Sequence, residues 1–175
     1  MSDPNTPTDI ASILSSANRT AFHLEQRDVW QRFTDADRAS YDGFVATGAA
    51  DPGFLDEWCS LVREAVARGV EFRRLRIVSE PVTDYIRWEH ALTPANLAAG
   101  EQVRWLPRSQ CTDLLVVPVD FWVFDARLVR FGLFSGDGGV VGHQVRDEPG
   151  ISKLVADCFE AAWERGIPHS DYTPA

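Results

Sequence analysis

The stretch from Val70 to Leu106, VEFRRLRIVSEPVTDYIRWEHALTPANLAAGEQVRWL, decides the fold. Val70, Phe72, Leu75 and Ile77 carry β-rich apolar character as far as Val78, and Glu80-Pro81 ends that strand because proline disfavours helical geometry before it and lacks a ladder donor. Thr83 has a side chain able to cap a helix running through about His90. Thr93-Pro94 then restarts a short turn that Gly100 closes, and Gln102 to Leu106 forms a second strand. One helical crossover of ordinary length between two strands has the shape of a βαβ unit with parallel strands.

Upstream, Asp51-Pro52 pairs a capping residue with a proline at the first helical position, and Leu55, Trp58, Cys59, Leu61, Val62, Ala65 and Val66 recur at helical spacing up to Gly69. Before that, Ala21 to Glu25 alternates like a short strand, Gln26 to Thr47 has weak helical character, Ile10, Ile13 and Leu14 suggest a short amphipathic turn, and residues 1–9 read as a flexible tail. Downstream the pattern becomes consecutive strands at Leu114 to Val117, Phe121 to Phe124, Leu128 to Phe134 and Val140 to Val145. Asp125-Ala126 and Ser135 to Gly139 stand where hairpin turns are needed. Phe121 to Phe124 is too apolar on both faces for a free edge. Pro149-Gly150 opens a last helix that Gly166 stops, and Pro168-His169 and Tyr172 dock the C-terminus on the core. The expectation is one α/β (or α+β) layered domain over residues 10–175: a mixed sheet with a βαβ unit followed by antiparallel strands, and helices at 55–68, 83–98 and 151–165 packed on it.

The chain has 175 residues, a net charge of -9 and seventeen basic residues, of which only Lys153 is a lysine. That length fits one hydrophobic core. A pI near 4.8 repels phosphate backbones, so no direct nucleic-acid binding is expected, although Arg73, Arg74, Arg76, Arg104 and Arg108 form a local basic candidate. Residues 1–8 have neither a basic nor an apolar signal region, and no apolar run approaches the ~20 residues of a membrane span, which predicts a cytoplasmic chain with no membrane association. Cys59, Cys111 and Cys158 are odd in number and lack a CxxC pair, arguing against disulfides and zinc.

Several chemistries lack their residues. There is no phosphate loop, Rossmann fingerprint, HExxH or GxSxG, and His23, His90, His143 and His169 share no metal-ligand spacing, so neither a metal nor a cofactor is expected. Ser79 beside Glu80 reads better as a turn than as a nucleophile. His23, Glu25, Arg27 and Asp28 read as a solvated charged segment anchored by Phe22, Leu24 and Trp30. The polar residues that stand out lie among aromatics: Glu80, Tyr85, Arg87, Glu89, Arg104, Trp105 and Asp120. Tyr85 and Glu89 share a helix face, and Arg104 lies opposite Trp105 across its strand. Two readings follow. In one, Arg104 or Arg87 pairs with Glu80, Glu89 or Asp120 in a buried network. In the other, these groups hold a small polar or anionic ligand between tryptophan walls.

The motifs AFHLEQRD, RIVSEPVTDYIRWEH, AGEQVRWLPR, VPVDFWVFD and IPHSDY together resemble the actinobacterial proteins grouped as domain of unknown function 6879, over about Ser16 to Tyr172. The resemblance implies a small regulatory protein encoded beside helix-turn-helix regulators of the XRE type. The element order is also similar to half of a phospholipase D-like domain, but the HxKxxxxD motif of that chemistry is absent. The leading expectation is a non-enzymatic regulatory module that pairs with a protein such as an XRE-type regulator and binds a small polar ligand, with a homodimer as the base-rate assembly. The alternative is a small-metabolite enzyme with Glu80 or Glu89 as acid/base and Arg87 or Arg104 as anion clamp.

Overall fold

A computed structural model describes residues 9–29, 34–136 and 139–175. The expected tail up to residue 8, the Trp30 anchor and Asp137-Gly138 of the second turn lie outside the described residues. In chain order the elements are α1 (Ile10–Ser16), β1 (Thr20–Glu25), α2 (Asp35–Thr47), α3 (Asp56–Ala67), β2 (Glu71–Val78), α4 (Asp84–Ala99), β3 (Gln102–Pro107), β4 (Phe121–Phe124), β5 (Leu128–Phe134), β6 (Val140–Arg146), α5 (Pro149–Arg165) and β7 (Ile167–Pro168). Among the described residues the strands form one seven-stranded mixed sheet in the order β6-β5-β4-β1-β2-β3-β7. β1, β2 and β3 are parallel and the remaining pairings antiparallel, which bears out both the βαβ unit and the layered α/β class.

Alternation along each strand sorts side chains onto two faces. Phe22, Leu24, Leu75, Ile77, Phe121 and Val123 turn toward α5, where Phe22 stacks on Phe159 at 4.8 Å. The opposite face carries two separate apolar clusters. One gathers Phe72, Trp122 and Phe124 under α1 and α3; the other gathers Val78, Val103 and Trp105 under α4 and the C-terminal Tyr172. Between these two clusters the same face is polar, and the candidate site lies there.

Local chemistry accounts for most boundaries. Asp9 caps α1 by accepting the Ser12 N–H at 2.8 Å, and Thr83 caps α4 by accepting the Ile86 N–H at 3.2 Å. Asp125 and Ala126 both adopt left-handed backbone, φ 53° and 51°, in the tight turn that the Arg127 N–H closes on the Phe124 carbonyl at 2.9 Å. The Asp125 carboxylate accepts the N–H groups of Asn18, Arg19 and Thr20, tying the hairpin to the start of β1.

Two expectations are corrected. α4 does not break near His90 but runs through Pro94. Pro94 removes one backbone donor, while burial of Ile86, Trp88, Leu92, Asn96 and Ala99 holds the helix on both sides of it. Leu114 to Val117 is irregular rather than a strand. Leu114, Val116 and Val117 pack with Cys111 against the α5-side core, which accounts for their apolar character, while Leu115 is exposed.

Candidate functional site

The polar strip on the helix-covered face is built by strand register. β1 sets His23 and Glu25 beside Arg74 and Arg76 of β2, since His23 pairs with Arg74 and Glu25 with Arg76. α4 supplies Tyr85, Glu89 and Asn96, and Glu101 enters from the turn that follows. Arg74 donates Nε to Glu101 at 2.7 Å and Nη1 to Glu25 at 3.0 Å. Arg76 lies 3.0 Å from Glu25 through Nε and donates Nη1 to Glu89. Tyr85 adds its hydroxyl to Glu89 at 2.6 Å, while Trp58 and Asn96 both donate to Glu101. The result is a continuous chain of alternating charge: Glu101, Arg74, Glu25, Arg76, Glu89.

Burial makes this chain stiff in protonation as well as in geometry. Burial favours the neutral acid at Glu25, but the Arg76 and Arg74 guanidiniums outweigh it and hold the carboxyl far below the usual carboxylate range. At Arg74 the same competition, settled by Glu101 and Glu25, tightens its hold on the proton. His23 stacks on Trp122 with ring centres 3.8 Å apart, and its Nδ1 lies 3.2 Å from Arg74 Nη1. An arginine has only donors, so Nδ1 accepts and the imidazole is neutral. Burial pushes its pKa down to about 3. Asp120 behaves oppositely: buried beside Glu25, it rises to about 7 while accepting the Gln26 N–H at 3.0 Å.

Above the charged chain opens a cleft of about 450 Å3. Phe54, Leu55, Trp58 and Leu92 form its walls, and Glu25, Arg76, Glu89 and Asn96 its floor. Trp122 and Arg130 separate it from a smaller hollow of about 160 Å3 bordered by His23, Asp120 and His143. A cleft of this size with mostly apolar walls and few polar groups has the make-up of a small-molecule site.

The structure brings only part of the expected set together. Tyr85 and Glu89 belong to the cleft system, and Asp120 borders the smaller hollow. Trp105 is buried next door, its ring 5.4 Å below Arg76 and stacked on Tyr172. Arg87 is exposed, because helical periodicity turns it away from Tyr85 and Glu89. Arg104 points to the opposite face, where it donates to the Trp163 carbonyl at 2.8 Å and lies over that indole. Glu80 is exposed and accepts the Tyr172 hydroxyl at 2.9 Å. The anticipated pairing of Arg87 or Arg104 with Glu80, Glu89 or Asp120 is therefore replaced by Arg74 and Arg76 with Glu25, Glu89 and Glu101. Ser79 is a turn residue, bound through its hydroxyl to Asp28 and Arg108.

His23 and Glu25 were expected in a solvated segment; instead they sit mid-sheet. Period-two alternation in AFHLE could have located them, since it places both opposite the buried Phe22 and Leu24. Glu101 follows a helix-closing glycine, and nothing local announces its burial. Among the described residues no group of His, Cys, Asp and Glu could hold a metal ion, and no helix is long and apolar enough to cross a membrane.

Comparison with known proteins adds family membership. No curated protein matches the chain. Solved structures similar to it include TrmBL2, an archaeal chromatin protein described as showing a novel mode of DNA binding, at 16% identity and a TM-score of 0.48, over 90% of this chain and 48% of that one. The chain thus spans about half the length of that protein. A family model described as "Domain of unknown function (DUF6879)" matches residues 8–174. Nearly the whole described fold falls within that match, and the chain belongs to the DUF6879 family.

Proposed function

We propose that this chain is a non-enzymatic, cytoplasmic regulatory module that binds a small ligand in the cleft over the Glu25-Arg76 floor and pairs with a protein partner. The observation that carries the ligand half is the juxtaposition of aromatic walls with polar groups already locked to one another. Such a floor orients a guest without offering a proton to exchange, because Glu25 stays ionised and His23 stays neutral. Acid/base catalysis by Glu80 or Glu89 with Arg87 or Arg104 is not favoured, since those four side chains do not converge.

The partner half rests on the family resemblance, which implies an XRE-type helix-turn-helix regulator in an actinobacterial setting, and on the net charge of -9, complementary to a basic DNA-binding domain. The reading also takes the phospholipase D-like likeness as one of architecture without its chemistry. Mixing the purified chain with the regulator encoded beside it is the test, read by light scattering after size exclusion. A stable complex at micromolar concentration supports the partner role, and its absence there overturns it. Ligand binding is tested separately by thermal shift and calorimetry against small heteroaromatic compounds, and no binding by any of them refutes the ligand role.

A further inference from the structure

We infer that the occupant of the cleft is an uncharged, planar heteroaromatic molecule bearing ring N–H or amino donors, an assignment that rests on the ligand-binding reading above. Three independent features lead there: the state of the charges, the shape of the walls and the polar edge left facing the guest.

Each charge in the floor is already committed. Arg74 spans Glu101 and Glu25, and Arg76 spans Glu25 and Glu89. An arginine does not give up its proton in a protein, so neither pair can be relieved by neutralisation. A guest carboxylate or phosphate would draw a guanidinium away from a buried carboxylate, and a guest ammonium would draw a carboxylate away from a buried guanidinium. Either leaves a charge uncompensated beside the buried Arg74 and Arg76, which is the costly outcome for buried pairs. Arg130, at the boundary with the smaller hollow, feels the carboxylate of Asp9 at the head of α1. An uncharged guest leaves all of these pairs intact.

The walls are flat and held in place. Phe54 stacks on Trp88 with ring centres 5.6 Å apart, and Trp58 sets its edge against both Trp122 and Phe72. Trp58 is also tethered through its indole N–H to Glu101 at 2.8 Å. Rigid rings at the sides of a cleft of about 450 Å3 favour a planar guest that stacks or packs edge-on over a flexible chain.

The available edge is an acceptor edge. Asn96 commits its Nδ2 to Glu101, and among the described residues its carboxamide oxygen makes no hydrogen bond. Glu25 Oε2 faces Arg76 Nε at 3.0 Å inside the floor, and since both atoms are out of solvent that contact is not offered to the guest. An unmet acceptor bordering the cleft calls for a guest with an N–H donor.

The test uses the full chain and a matched set on one ring: indole-3-carboxamide, indole-3-carboxylate and the protonated indole-3-methylamine. Affinities come from calorimetry, and the position of the guest from shifts of the Trp58 and Trp122 indole N–H resonances. The carboxamide is expected to bind at least about tenfold more tightly than either charged analogue, a difference of about 1.4 kcal/mol. It should move those two resonances and lose about tenfold in affinity in Phe54→Ala. If a charged analogue binds at the same resonances as tightly or more tightly, the uncharged class is overturned and the ligand-binding role stands. If none of the three, nor adenine or 2-aminopyrimidine, binds at millimolar concentration, both fall. The resonance shifts decide the position even if Phe54→Ala does not fold, and shifts confined to other residues overturn the assignment.

Discussion

Arg74 and Glu101 meet on the sheet as a sealed pair, Nε to Oε2 at 2.7 Å and Nη2 to Oε1 at 3.2 Å, with the Glu101 side chain wholly out of solvent. Trp58 and Asn96 also donate to Glu101, so its oxygens are satisfied from three elements. Removing one member strands the other. Glu101→Leu is expected to lower the unfolding free energy by about 3–5 kcal/mol, whereas Glu101→Leu with Arg74→Met loses less than the single change. Urea unfolding of the three proteins measures this, and a single-variant loss under about 1 kcal/mol contradicts it.

Asp120 is expected to make stability fall as pH rises. Its carboxyl titrates at about 7 in the folded protein, where burial and the Glu25 charge oppose ionisation, against 3.8 ordinarily. The unfolded chain therefore releases this proton first, and the folded state loses ground between about pH 4 and pH 7. Asp120→Asn removes that dependence. Its stability relative to the natural chain should rise across this window by up to about 4 kcal/mol, roughly three pH units at about 1.4 kcal/mol each. Equal pH profiles for the two proteins would show that Asp120 ionises normally.

His23 should stay neutral through the physiological range. With its folded value near 3 and its ordinary value at 6.5, the unfolded chain takes up the proton first as pH drops. The neutral-imidazole contribution to stability is thus complete above about pH 6.5 and is lost progressively toward pH 3. The NMR signals of the ring nitrogens are expected to be flat from pH 5 to 8, with Nδ1 unprotonated. A midpoint near 6.5 in the folded protein disproves the buried stacking on Trp122.

Arg104 acts on the far face. Its guanidinium donates to the carbonyl of Trp163 in the last turn of α5 and covers that indole with 4.4 Å to the ring centre. Arg104→Met should cost about 1.5–3 kcal/mol in unfolding free energy, the range for a hydrogen bond to a charged group. Affinity in the cleft should be unchanged, because the sheet separates the two faces. A loss of binding by the folded variant would overturn this placement.

Tyr172 fastens the C-terminal segment. Its ring stacks on Trp105 at 5.4 Å and 9°, and its hydroxyl reaches Glu80. Tyr172→Ala is expected to destabilise by about 3–5 kcal/mol, as truncation of a buried aromatic does, and to diminish the near-ultraviolet circular dichroism from Trp105. Tyr172→Phe should retain the stacking and give up only about 1 kcal/mol with the hydroxyl contact.

The elements that read clearly are those whose local chemistry and burial agree. Val70 to Val78, the Thr83 cap, Phe121 to Phe124 and the Pro149-Gly150 helix start all carry their signals within a few residues, and the structure follows them. Leu114 to Val117 misleads because an apolar run reports packing rather than hydrogen-bonding partners, and here Leu114, Val116 and Val117 pack against the α5-side core from a loop. Pro94 misleads because a proline signals a lost donor but not the packing that compensates for it.

The site divides along the same line. The chain by itself determined that arginines and carboxylates would lie among aromatics, that Tyr85 and Glu89 would share a face, and that a parallel βαβ unit would carry them. Which arginine meets which carboxylate was decided only in three dimensions. The register of β1 against β2 set Glu25 beside Arg76, the course of α4 brought Glu89 over it, and the turn at Gly100 delivered Glu101 to Arg74, 27 residues away. The physical reason is that a buried charge takes the nearest partner available in space, and strand pairing and helix packing set that proximity between residues far apart in the chain.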